Sequence, residues 1–187
     1  MLLAEHGFEF EVIAPSEAAE CGICSRESPP ELVARLAVQK SKDVAERIAD
    51  GLVLGCDTVA ECSGQILGKP ADRAHAGAML RLLRGQQHCV YSGLCLWSRP
   101  DDRVLVEVDV TQLVMDNISD DRIDDYLATD DWCGKAGAFG YQDGLDWVRV
   151  TSGSESNVVG LPMEKLVSML DRFELEARVY SSKPRTD

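Results

Sequence analysis

Gly55-Cys56-Asp57-Thr58-Val59-Ala60-Glu61-Cys62-Ser63-Gly64-Gln65-Ile66-Leu67-Gly68-Lys69-Pro70 is the stretch on which the fold turns. Residues 52–59 have the almost continuous apolar character of a strand buried on both faces, and Gly64 permits a turn into a short second strand at 65–67. Asp57 interrupts that apolar run near its carboxyl end, where open α/β sheets place ligand-binding groups. The bland alternative is an aspartate that caps the next turn through its own backbone. An unpaired carboxylate in an apolar run is expensive, which favours a functional reason for it. Lys69, between a glycine and a proline, supplies a point charge suited to phosphate. Pro70 breaks the phosphate-loop pattern, which needs Gly-Lys-Ser/Thr opening a helix. Asp57 and Lys69 together suggest a site for a metal-bound phosphate.

Upstream, Ser28 can cap a helix with Pro29 and Pro30 in its first turn. The stripe Leu32, Val33, Leu36, Ala37, Val44, Ala45, Ile48 carries that helix to about residue 50. Lys40 falls four residues after Leu36 and four before Val44, on the buried stripe, so its ammonium must meet an anion or snorkel outward along its stem. With the helix packed on the sheet, Lys40 can reach the cleft near Asp57. Closer to the start, residues 1–4 read as the end of a helix closed near Gly7, and residues 8–13 alternate apolar and acidic as a half-buried strand would.

Downstream, residues 71–83 predict a helix capped by Asp72, with Ala76, Met79, Leu80 and Leu83 inward and Gly85 ending it. Residues 88–98 and 103–114 predict a hairpin through Arg99-Pro100-Asp101-Asp102. Ser119 caps a short acidic helix to about 127. Residues 145–150 predict a strand and 152–157 a polar loop. Pro162 opens a last helix over 163–173, and residues 174–187 read as a tail.

Composition sets the outer bounds. The 187 residues, 45% apolar and 27% charged, suit one soluble domain with a real core. A formal charge of −13 excludes a broad electrostatic surface for nucleic acid or anionic membrane, so an anionic substrate needs a local positive pocket. Seven cysteines without a disulfide rhythm, and no leader or membrane-length apolar run, point to a reduced cytoplasm. Cys21-x-x-Cys24 lacks the further ligands of a zinc site. Trp132, Trp147, Phe139 and Tyr141 can stack a base but more often form core. Asn157-Val158-Val159-Gly160-Leu161-Pro162 presents backbone amides at a helix start, either an anion seat or an ordinary junction.

Four ordered blocks resemble a known family. Gly55-Cys56-Asp57-Thr58-Val59, Gly68-Lys69-Pro70, Gly134-Lys135-Ala136-Gly137-Ala138-Phe139-Gly140-Tyr141-Gln142 and Ser156-Asn157-Val158-Val159-Gly160-Leu161-Pro162 are similar to those of the Maf family, the septum-formation-associated nucleoside triphosphate pyrophosphatases. The resemblance implies an elongated α/β fold of the Maf/Ham1 kind, with a central twisted mixed sheet, flanking helices and a cleft between two lobes, often in a dimer. It implies one domain over residues 1–173 and a house-cleaning hydrolysis of a nucleoside triphosphate to monophosphate and pyrophosphate, with Mg²⁺ or Mn²⁺. Its catalytic residues fall on Asp57, Glu20, Lys40 and Lys69, its metal ligands on Asp57 and Glu20, and its substrate contacts on Gln142, Thr58, Lys135 and Asn157. Lys-Ala-Gly followed by aromatic-Gly-x-Gln is similar to the branch acting on dTTP and UTP, including modified uridines.

The family opens with a strand and a Ser-x-Ser-Pro-Arg-Arg loop, which these 187 residues do not contain and which would lie before Met1. Either the natural start lies upstream or the protein is shortened, and apolar surface is expected where that strand would pack. Two other readings stay open: a non-catalytic nucleotide-binding or cell-division regulatory protein, and a purine-directed pyrophosphatase.

Overall fold

The computed structural model describes residues 2–16, 19 and 27–181, with side chains through Glu174. The chain runs α1 (Leu2–Glu5), α2 (Pro29–Ala45), β1 (Gly51–Cys62), β2 (Gln65–Leu67), α3 (Arg73–Leu83), β3 (Gln87–Arg99), β4 (Val104–Met115), α4 (Asp120–Ala128), β5 (Val148–Ser152), α5 (Glu155–Val159) and α6 (Met163–Ser181). The strands form one sheet in the order β2-β1-β3-β4-β5. Every neighbouring pair is antiparallel, so the described strands make an antiparallel sheet where the resemblance implies a mixed one. Tight turns join β1 to β2 and β3 to β4 and can only reverse the chain, and the connection from β4 through α4 to β5 reverses it as well, whereas the one through α3 carries the chain from β2 across to the far side of β1, where β3 runs in the same direction as β2 and against β1. The α/β class with flanking helices stands.

The pleat sorts the core. Odd-numbered positions of β1 and β3 face α2: Val53 and Trp97 pack with Val44 and Ala45, and Val59 and Tyr91 pack with Leu32 and Val33. Even-numbered positions face the other way: Leu54, Leu94 and Leu96 pack with Met163, Leu166, Met169 and Phe173 of α6. At the far end of the sheet the largest cluster joins Ala60, Val90, Leu113 and Met115 to α3, α4, Phe139 and Trp147.

Two glycines let α2 lie directly on the strands. A Cβ at Gly55 would stand 2.2 Å from Ser41 Oγ and 2.7 Å from the Ala37 carbonyl oxygen, and one at Gly93 would stand 2.2 Å from the Val33 carbonyl oxygen. The close approach also lets the buried Ser41 hydroxyl donate to the Cys95 carbonyl at 3.2 Å.

Several expectations shift. Residues 8–13 form no strand. They run beside residues 51–56 of β1 and border a groove of about 630 Å³ along its open edge. That edge pairs with β2 only at residues 60–62. Phe10, Val12 and Leu52 are exposed at 41%, 74% and 45%. Residues 155–157, expected in a polar loop, belong to α5, tied down by Glu164, whose carboxylate accepts from Ser154 Oγ at 2.7 Å and Ser156 Oγ at 2.9 Å. β5, expected from residue 145, begins at Val148, where pairing with Met115 of β4 starts. The last helix continues past residue 173 to Ser181.

Gly93→Ala is expected to lower stability by about 2 kcal/mol, because the added methyl meets helix backbone that cannot swing aside. Gly68→Ala, where a Cβ meets nothing within 4 Å, is the control and should change it by less than about 0.5 kcal/mol. Urea unfolding of the two variants measures the difference. A second expectation concerns His88, buried edge-on against Phe139. Burial pushes its imidazole down to about 4 from an ordinary 6.5, an effect the Gln86 backbone only partly offsets. The unfolded chain therefore binds the proton first as pH falls, and stability is lost between pH 6.5 and about 4. The loss is on the order of 3 kcal/mol. Unfolding free energy followed over that window should fall less steeply for His88→Leu than for the wild type.

Candidate active site

A cavity of about 250 Å³ gathers most of the residues singled out in the sequence. Lys40, Asp57, Thr58, Lys69, Lys135 and Gln142 all line it. α2 delivers Lys40: seated on the two glycines, the helix brings Lys40 Nζ to 2.6 Å from Asp57 Oδ1, with side-chain exposures of 18% and 15%. The lysine therefore meets an anion and does not snorkel. So little solvent reaches the pair that the two charges are screened less than an exposed pair would be.

The opposite wall comes from the turn-rich segment 134–143. Gly137 and Ala138 both adopt left-handed backbone, at φ +71° and +61°, and a Cβ on Gly137 would sit 3.1 Å from Ala60 Cβ. The non-glycine residue in that region costs roughly 1–2 kcal/mol, which the burial of Ala138 and Phe139 in the large core offsets. The Gly137 amide donates to the Gly68 carbonyl at 3.1 Å, tying this wall to the turn that carries Lys69. Lys69 is exposed and has no ion-pair partner among the described residues. Lys135 Nζ lies 2.5 Å from Asp143 Oδ2, a residue the sequence reading passed over.

The third wall is α5 and its end. Cys56 Sγ donates to the Gly160 carbonyl at 3.2 Å, and Thr58 Oγ1 lies 2.7 Å from Ser92 Oγ and 3.4 Å from the same carbonyl. Burial first, and then the Asp57 charge, push the Cys56 thiol up to about 12, so it stays protonated near neutral pH and is no thiolate nucleophile. Asn157 does not line the cavity. It is fully buried, with Nδ2 donating to the Val90 carbonyl at 3.2 Å and to Thr111 Oγ1 at 2.9 Å. The expectation of substrate contact gives way to a scaffolding place, because an amide buried in the sheet has to spend its donors on neighbouring backbone and hydroxyl groups.

Phe139, weighed as a base-stacking residue or core, is buried in the core and also lines the cavity, while Val90 and Cys56 were not anticipated as cavity residues. Adjacency to Asp57 was the only signal for Cys56. Trp132 and Trp147 belong to the core, and the Tyr141 hydroxyl donates to Glu155 at 2.8 Å. Glu20 and the Cys21-x-x-Cys24 pair lie outside the described residues.

Three ammonium groups and one carboxylate line the cavity, a local excess of positive charge in an acidic chain. No group of three or more His, Cys, Asp or Glu among the described residues can hold a metal ion. A single carboxylate is consistent with a hard cation such as Mg²⁺, which keeps waters and takes its remaining ligands from substrate phosphates. No helix of the described residues is long and apolar enough to cross a membrane.

Comparison with known proteins gives the same direction. Residues 1–173 match the family described as Maf-like protein. A dTTP/UTP pyrophosphatase of Rhodopirellula baltica is 56% identical over 177 residues, covering 94% of this chain and 78% of the relative. Proteins of the same name from Dictyoglomus thermophilum and Bacillus anthracis are 38% and 37% identical over 173 and 176 residues. They cover 92% and 94% of this chain, and 89% and 90% of theirs. The chain belongs to the Maf-like protein family.

Proposed function

We propose that this chain is a nucleoside triphosphate pyrophosphatase that acts on dTTP and UTP, modified uridine nucleotides included, in a house-cleaning role in the cytoplasm. The support is one cavity that holds the Lys40–Asp57 pair, Lys69, Lys135 and Gln142 together, in a chain related to proteins named for that activity. The reading treats residues 1–173 as one catalytic domain, with a homodimer as its working assembly.

In this reading water attacks the α phosphorus and the bond from that phosphorus to the bridging oxygen breaks. The water oxygen stays on the monophosphate, and pyrophosphate leaves with the electron pair of the broken bond. Asp57 orients the water and takes its proton, a general-base task that requires a carboxylate within hydrogen-bond reach. Lys40 and Lys69 face the same space and neutralise charge that builds on the phosphate oxygens. Gln142 offers a carboxamide, donor and acceptor together, which matches the alternating acceptor and donor edge of a uracil or thymine ring. A divalent cation held by Asp57, with Glu20 as second carboxylate, would supply further charge neutralisation and a more acidic bound water. The thiol of Cys56 takes no part, being held protonated.

The test is pyrophosphate release from a panel of nucleoside triphosphates with Mg²⁺ or Mn²⁺. dTTP and UTP should be turned over at least about tenfold faster than the purine nucleotides, and a chelator should abolish release. Asp57→Asn should lower kcat/KM by at least about a hundredfold, and Lys69→Ala by about tenfold or more. Faster turnover of purines would move the substrate assignment. Nucleotide binding without release of pyrophosphate would make the protein a nucleotide-binding module.

A further inference from the structure

The segment that carries Lys135 and Gln142 is closed on itself by a group with no role so far. Asp143 Oδ2 sits 2.5 Å from Lys135 Nζ, and the two side chains are only 20% and 24% exposed. The contact spans eight residues of chain, from the lysine at one end of the cavity wall to the residue directly after Gln142 at the other. Gly140 lies beneath the pair: a Cβ there would stand 2.0 Å from Asp143 Oδ2 and 2.2 Å from Lys135 Nζ, so a side chain at this position would push the pair out of its present place. The Asp143 amide donates to the Gly140 carbonyl at 3.0 Å, which closes the turn that includes Gln142.

The pair is also anchored from outside the segment. The hydroxyl of Tyr126 on α4 accepts from the Gly140 amide at 3.1 Å and donates a long hydrogen bond to Asp143 Oδ2 at 3.4 Å. Tyr126 is itself buried and packs edge-on against Trp147, 5.5 Å between ring centroids. Burial keeps the phenol proton in place, so the hydroxyl remains able to donate. A rigid core residue therefore fixes Asp143, and Asp143 fixes the cavity lysine.

We propose that Asp143 is a positioning residue: through its ion pair with Lys135 it fixes where the Lys135 ammonium meets a bound pyrimidine nucleoside triphosphate. The proposal rests on the function proposed above. The physical reason is that a lysine on a flexible stem, flanked by Gly134 and Gly137 and sharing a cavity with two other ammonium groups, has no preferred position without a fixed counter-charge. Holding the ammonium in place before the substrate arrives removes an ordering cost from binding. It does not touch the bond that breaks, so its effect belongs in affinity and not in the chemical step.

The experiment compares wild type, Asp143→Asn, Lys135→Ala and the double variant in steady-state hydrolysis of dTTP. Thermal midpoints establish that all four are folded. Asp143→Asn keeps the size of the side chain and removes the charge. It should raise KM by about tenfold while kcat changes by less than about twofold. Lys135→Ala should do the same, and the double variant should be no worse than Lys135→Ala alone, since the two residues act as one unit. Unchanged KM in Asp143→Asn, losses that multiply in the double variant, or tighter binding once the carboxylate is gone would each overturn the proposal. The last of these would mean that Asp143 competes with substrate for the lysine. A wild type that hydrolyses no nucleotide sinks the proposed function instead. The same four proteins are then titrated with dTTP by calorimetry, where a tenfold weaker Kd for Asp143→Asn sustains the positioning role. An equal Kd, or no binding by wild type, ends it.

Discussion

The contact on which the rest depends is made where side chains are missing. α2 rests on Gly55 and Gly93, which face it from neighbouring strands, with virtual Cβ positions 2.2 Å from Ser41 Oγ and from the Val33 carbonyl oxygen. Any larger residue at either place lifts the helix. The lifted helix would take Lys40 away from Asp57, a contact of 2.6 Å that tolerates little displacement. A packing constraint that looks purely structural thus sets the geometry of the charged pair. The aliphatic contacts of α2 with Val53, Val59, Tyr91 and Trp97 supply the adhesion, and the glycines supply the distance.

Charge acts here over short range. The chain carries −13 overall, so a triphosphate approaching from far away meets net repulsion. At physiological ionic strength that repulsion is screened beyond about 8 Å. What an arriving phosphate feels is the cavity, where Lys40, Lys69 and Lys135 outnumber Asp57. Two of these ammonium groups already have carboxylate partners, Lys40 with Asp57 and Lys135 with Asp143, whereas Lys69 has no ion-pair partner among the described residues. The three lysines are therefore not equivalent: one is an exposed point charge, and two are held in place by acids on different walls.

Much of this was legible in the sequence, for identifiable reasons. The α2 stripe gave the helix and put Lys40 on its buried side, because helical periodicity and burial are local signals. The Asp72 cap on α3, which accepts from the His75 amide at 2.8 Å, and the Ser119 cap on α4 were equally plain. What failed was non-local. Residues 8–13 alternate like a strand, yet a strand exists only through its partner, and no periodicity reports whether a partner is there. Asn157 sits in a motif rich in backbone amides, but only the tertiary fold buries its carboxamide against Val90 and Thr111. Asp143 was invisible because its meaning comes from Lys135 eight residues earlier, and from Tyr126 on another element.

The apolar run 52–59 forms the middle of β1, as its pattern predicts. It reads as a strand buried on both faces, and it packs α2 on one face and α6 on the other; among the described residues its side away from β3 pairs only at residues 60–62. One cavity uses residues from both faces of this pleated strand. Asp57 points to the α2 side while Cys56 and Thr58 point to the other, and all three line the same space. Asp57 is held there by a lysine from the helix above, so the position of the cavity's carboxylate is set by how closely α2 packs on β1 and β3.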